Sequence, residues 1–275
     1  MSIIVKDGNS ADKYYQTIED GSLANPFQSV VPNYSVAQAI RDIEAQYSDT
    51  VSVWDKAKSL LKYGGNPDLD VAVSETIWNT GGNETLKTAN EIDIVVSTDA
   101  GDTQEIVIEG HTISGNDLTF VTQTLTLNGT TNVSLTTPLA RVNRLYNNDS
   151  TDFAGVITVE DNGTSVNLTV DGTKNENQSR KCQTAISQFD YYIITQMSGG
   201  IVGNISANVA FKFQIAPVGG VWRTVREFNS NIYTEIPVVP HIIVPPNHDV
   251  RMLGTSDTNN TEAVGEFAGY LASIQ

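Results

Sequence analysis

The sequence predicts a mainly β protein, an antiparallel sandwich or barrel with a short helical segment at its start. Three observations carry this. Runs of β-branched and aromatic residues recur from about residue 68 to the end, separated by Gly, Asn and Asp. Asn-Gly pairs fall between alternating runs, as hairpin turns require. No helical stretches lie between the runs, so a parallel sheet would have no crossovers.

The first 65 residues differ from the rest. "SVAQAIRDIEAQY" (35–47) places Val36, Ala39, Ile40, Ile43 and Tyr47 at helical spacing, with Ser35 and Gln38 as a capping box. "SVWDKAKSLLKYGG" (52–65) predicts a second helix with Val53, Trp54, Ala57, Leu60 and Leu61 on one stripe and Gly64–Gly65 as its stop. Two short helices with one apolar stripe each cannot form a core, so residues 1–65 read as an arm that docks on something else.

The β region is then expected over 66–275, as one sandwich or as two β subdomains divided near 175–180. Its strands begin with "EIDIVVS" (91–97), "QEIVIEG" (104–110), "DLTFVTQTLTLNG" (117–129), "LARVNRLY" (139–146) and "GVITVED" (155–161). "ITVEDNGTSVNLTV" sets Asn162–Gly163 between two alternating strands as a two-residue hairpin turn, and "LTLNGTTNVSL" repeats that chemistry at Asn128–Gly129. "DYYIITQM", "NVAFKFQIAP", "VWRTVREF", "IPVVPHIIVP", "DVRMLGTS" and "EFAGYLASI" continue the series. There is no fixed-period repeat of the solenoid or propeller kind.

Thirty-two acidic and sixteen basic residues in 275 give a formal charge of −16, a field that repels phosphate backbones and anionic membranes. Neither nucleic acid nor membrane is therefore expected as a partner, and no apolar stretch approaches the ~18 residues of a spanning helix. The start "MSIIVKDGNSADKYY" lacks the basic and apolar regions of a secretory signal. Cys182 is the sole cysteine, which excludes an internal disulfide and every cysteine-cluster metal site.

The segment with most apparent chemistry is "EIPVVPHIIVPPNHDVRM" (235–252), which holds His241, His248 and Asp249. Its four prolines suggest short strands and a tight turn, with His248 and Asp249 at the tip, and no third ligand for a metal is evident. His111 is the remaining histidine, and nothing in the sequence brings it near. The carboxylates of "DNGTSVNLTVDG" and "STDAGDTQE" lack calcium-loop spacing and read as solvated turns. Arg141 and Arg144 should face opposite sides of a strand, and Trp78 and Trp222, beside glycine turns, read as core plugs. G-x-S-x-G, H-E-x-x-H, a phosphate loop and C-x-x-C are absent, so neither a catalytic residue nor a cofactor is expected.

With those residues in view, the chain resembles a family of virion structural proteins of tailed bacteriophages, well represented among marine and cyanobacterial phages. "ETIWNTGG" opens the matching region. "TQTLTLNGTTNVSLTTPLARVNRLYN" is similar to the family's threonine-rich "V-T-L-N-G-T-T-x-V" leading into an "F-L-R-V-x-R" strand. "GVITV" and "NVAFKFQIAPVGGVWRTVREF" follow in the same order, and "IPVVPHIIVPPNHDVRMLGTS" is similar to "P-x-x-I-P-x-x-T-D-I". The resemblance spans about residues 74–275. His248 departs from it, standing where the family has a small polar residue before the aspartate.

The resemblance implies a jelly-roll-like β-sandwich that acts without catalysis as a head decoration, or cement, protein on the outside of the phage head. Its expected partners are the major capsid protein and further copies of itself, with a trimer favoured. Candidate contact residues are Ile40, Ile43, Tyr47, Trp54, Leu60 and Leu61 of the arm, with His248 and Asp249 of the turn. A neck or tail adaptor, and a carbohydrate-binding or glycan-cleaving sandwich, are the alternatives.

Overall fold

The computed structural model describes residues 4–5, 13–14, 57–163, 165–203 and 206–273. The expected helix over 35–47 lies outside these residues, and with it Ile40, Ile43 and Tyr47; Trp54 lies outside them as well. Two short strands near the start, β1 (Ile4–Val5) and β2 (Lys13–Tyr14), pair with each other.

The described chain is mainly β and sandwich-like, with every strand pairing antiparallel. It begins with β3 (Lys58–Leu69) and β4 (Glu75–Thr76). Seven strands follow in the first half. In one sheet β11 (Ser165–Asp171), β10 (Val156–Asp161), β5 (Ile92–Ser97) and β8 (Val133–Leu139) lie side by side. In another, β6 (Glu105–Ser114) lies between β7 (Asp117–Thr126) and β9 (Arg141–Asn147). Ile92, Ile106, Ile108, Leu145, Phe153 and Val159 are among the side chains packed in this half.

The second half has its own core. One sheet runs β16 (Thr234–Val244), β13 (Asp190–Ile201), β18 (Thr261–Ser273), β3. The other runs β12 (Gln183–Ile186), β17 (His248–Ser256), β14 (Val209–Pro217), β15 (Arg223–Ser230), with β4 also on β17. Alternation in sequence becomes alternation in burial: Val209, Phe211 and Phe213 of β14 point inward, as do Ala263 and Phe267 of β18. Phe213 meets Phe267 edge to face at 5.2 Å, a geometry worth about 0.5–1.5 kcal/mol beyond the area buried.

Three local expectations are corrected. The helix over 52–65 is not formed from residue 58 onward, because that stretch is β3, paired with β18 from Lys58↔Leu271 to Leu69↔Thr261. The adjacent Leu60 and Leu61, which share a helical stripe, point to opposite faces of a strand. Leu60 packs against the second core, while Leu61 is 59% exposed. Gly64 is no helix stop either; a Cβ there would stand 2.1 Å from the Ile77 carbonyl oxygen, so glycine lets the strand press on its neighbour. The strand therefore runs through the boundary expected at residue 65.

The second correction concerns Asn128–Gly129. A turn forms there, closed by Thr131 N–H donating to the Asn128 carbonyl, but it does not join a paired hairpin. Strand β7 pairs with β6 and β8 pairs with β5, because Gly129 is held by Asp102 and Ser97 backbone hydrogen bonds that steer the chain from one sheet to the other. The β10–β11 hairpin does form, with Asn162 and Gly163 at positive φ and Asp161 paired with Ser165.

The third concerns "VPPNHDV". The turn proper is Pro245–Asn247, with Asn247 at φ 57°, and His248 already begins β17. Asn247 is docked: its Oδ1 accepts from Leu118 N–H at 2.8 Å and its Nδ2 donates to Asp117 Oδ1 at 3.0 Å. A turn pinned to β7 draws the next residues into the protein.

Candidate functional site

A layer of buried charge lies between the two cores. Arg141 opens β9 and Asp249 stands near the start of β17, 108 residues later, and they form a bidentate pair. Arg141 Nε donates to Asp249 Oδ1 at 2.7 Å and Nη2 to Oδ2 at 3.0 Å, with both side chains at least 95% buried. Nη1 of Arg141 donates to the Lys87 and Ala140 carbonyls. The planar fork matches the carboxylate, which is why arginine suits this position better than lysine.

Lys181, on the segment joining the halves, repeats the arrangement. Its Nζ donates to Glu84 Oε1 at 2.7 Å and to the Val142 and Asn167 carbonyls at 3.0 and 3.1 Å, so its three donors are matched. Burial lowers the Lys181 pKa, with the Glu84 carboxylate opposing. The Lys181 ammonium also stands 5.3 Å from the centre of the Trp78 ring, whose Nε1 donates to the Gly81 and Gly82 carbonyls. Trp78 is thus the core plug the sequence predicts.

Lys62 of β3 completes the layer. Its Nζ donates to the Asn143 carbonyl at 2.6 Å, and its pKa falls to about 8, first through burial and then through nearby Lys181. Beside it the buried His111 ring contacts Asn143 Nδ2 at 3.1 Å, and β-sheet register sets His111 opposite Arg141. Nothing in the sequence signals that these groups converge, because Lys62, Glu84, His111, Arg141, Lys181 and Asp249 come from six separate segments.

His111 makes a pH prediction. Burial, then the Arg141 and Lys62 charges, lower its pKa to about 3 from an ordinary value near 6.5. Between those values the unfolded chain binds a proton that the folded chain refuses. Its contribution to stability is therefore complete above about pH 6.5 and declines as pH falls toward 3. Urea unfolding of His111→Gln should show a smaller loss between pH 7 and pH 4 than the natural chain, by up to a few kcal/mol. Equal losses would contradict this account.

The candidate contacts of the turn fare differently from expectation. Asp249 is not a loop-tip residue: it is 2% exposed and bound to Arg141. His248 is half-buried, its Nδ1 2.8 Å from the Pro246 carbonyl oxygen. His241 Nδ1 lies 2.7 Å from the Val238 carbonyl oxygen, on β16. Among the described residues no three His, Cys, Asp or Glu side chains gather into a group able to hold a metal.

A cavity of about 300 Å³ opens against the Arg141–Asp249 pair, bordered by Lys87, Asn116, Ile113, Pro217 and Trp222. Trp222 is half-buried here and is not a core plug. The Arg251 guanidinium lies 4.1 Å from the centre of its ring, a cation–π contact in which the positive charge meets the negative ring face. Arg251 Nε also donates to Gln214 Oε1 at 3.0 Å.

No protein-family model matches the chain, and no curated protein matches it. One solved structure, that of infectious bursal disease virus, Gx strain, aligns over 79% of this chain and 72% of its own. The alignment has 5% identity and a TM-score of 0.22, too low to establish a shared fold.

Proposed function

We propose that the chain is a non-enzymatic structural protein of a tailed-phage virion, working as a head decoration protein that binds and stabilises the major capsid shell. In this reading the β body is jelly-roll-like, the segment before residue 57 includes the helix expected over 35–47 and forms the attaching arm, and copies assemble on the shell as a homo-oligomer, a trimer by preference. Neither nucleic acid nor membrane is a partner, in keeping with the −16 charge.

The observation that carries the reading is the Arg141–Asp249 pair. Arg141 belongs to "LARVNR" and Asp249 to "PPNHDV", each within a segment that resembles the phage family. Their most chemically suggestive residues are engaged in fastening one core to the other. A shell protein needs that kind of rigidity, since a body that yields between its halves transmits no clamping force. Many identical copies then supply avidity without high affinity at any one contact.

Particle stoichiometry tests the proposal. Quantitative mass spectrometry of purified virions should find hundreds of copies per particle. A count of about a dozen would place the protein in a neck or tail ring and overturn the decoration role. Absence from the virion would overturn the structural role altogether.

A further inference from the structure

A second, open cleft of about 590 Å³ lies at the junction of the two halves, away from the Arg141–Asp249 pair. Tyr63 of β3 forms one wall, Arg144 and Tyr146 of β9 another, and the connecting segment 175–180 a third. That connection is preceded by one 3₁₀ turn, Gly172–Lys174, ended by Asn175 at φ 58°, a left-handed conformation that asparagine tolerates.

The cleft is held open by its own bonds. Glu176 Oε1 accepts from Arg180 Nη1 at 3.0 Å, while its Oε2 accepts from Asn79 Nδ2 and the Asp171 backbone N–H. Arg180 Nη2 donates to the Tyr63 hydroxyl at 3.1 Å, and the guanidinium lies 5.4 Å from the Tyr63 ring centre. Burial works against the Arg180 charge, but Glu176 and Tyr63 outweigh it and its pKa rises. Arg144 stacks at 4.6 Å over Tyr146 and donates through Nη2 to Gln178 Oε1 at 2.9 Å.

Gly65 makes room for this arrangement, because a Cβ there would stand 2.3 Å from Arg180 Nη2. Two guanidiniums thus face a cleft whose one lining carboxylate is already bound, so the residues that line it carry a net charge of +1 in a chain of net charge −16. Arginine forks on aromatic supports suit planar oxyanions, and exposed amides at Asn175 and Gln178 suit hydroxyl groups. The geometry points to a binding site for an acidic glycan, one uronate carboxylate being held between Arg144 and Arg180 while amides and tyrosines meet the sugar ring. The field of the whole chain disfavours any long polyanion, polyphosphate or polyuronate alike, so a short uronate oligosaccharide is the ligand that fits. This site goes beyond the proposed shell-binding role and does not depend on it.

Isothermal titration of the full chain with a galacturonic acid trisaccharide tests the site, with a neutral galactose trisaccharide and hexaglutamate as comparisons. The uronate should bind saturably, and each comparison should bind at least about tenfold more weakly. Arg144→Gln removes an exposed guanidinium, and Gly65→Ala displaces the flexible end of Arg180 without a clash against backbone. Both should weaken uronate binding by about tenfold, Arg144→Gln with an unchanged thermal midpoint. The proposal is overturned by non-saturable uronate binding, by hexaglutamate binding as tightly as the uronate, or by either variant binding like the natural chain.

Discussion

Asp249→Ala is expected to lower unfolding free energy by about 3–5 kcal/mol, a large part of the roughly 5–15 kcal/mol typical of a folded protein. The substitution removes a carboxylate that is 2% exposed and leaves the Arg141 guanidinium, 4% exposed, without its counter-charge. The Lys87 and Ala140 carbonyls satisfy part of the fork but carry no full charge. Most of the loss comes from burying an uncompensated cation, so the double variant Arg141→Met, Asp249→Leu should recover much of it. Urea unfolding of Arg141→Met, Asp249→Leu and the double variant gives the coupling between the sites. Additive losses would show that the pair does not fasten the cores.

Removing residues 1–65 is expected to abolish soluble folding, whereas removing residues 1–56 leaves the β body from β3 onward intact. The longer deletion takes Lys58 to Gly65, eight of the twelve residues of β3. It strips the pairing from Leu271 to Val264 and exposes the edge of β18, a strand of 13 residues. A long unpaired edge is a template for aggregation. It also removes Leu60 from the second core and Lys62 from beside Asn143. Thermal unfolding and size-exclusion chromatography of both truncations decide the matter. If the chain starting at residue 66 stays monomeric and folded, β3 is dispensable. On the proposed reading, the chain starting at residue 57 should fold yet fail to bind capsids.

Much of the β body was legible because strand alternation is local. In β10, Ile157 and Val159 alternate with polar positions, and the same period brings Phe211 and Phe213 of β14 to one face. Asn162–Gly163 was legible because positive φ selects these residue types. The stretch 58–65 was not, since two adjacent leucines followed by two glycines satisfy a short helix as well as a strand. Pairing with β18, some 200 residues away, decides between them. Asn128–Gly129 shows the limit of turn chemistry, which fixes the bend but not the sheet each arm joins.

The candidate site shows the same division more sharply. Asn247, His248 and Asp249 look like a solvated tip because Asn and Asp favour turns. The docking of Asn247 on β7 and the fork of Arg141 on β9 reverse that for Asp249. Local sequence specifies the antiparallel β character, most of the strands and several turns, all consequences of side-chain period and backbone preference over a few residues. The tertiary structure alone decided that β3 is a strand, that the hydrophobic interior divides into two cores, and that Arg141, Asp249, Lys181 and Glu84 close the layer between them. Those outcomes depend on which distant segments share a low-dielectric space, where an ion pair holds only if both partners arrive together.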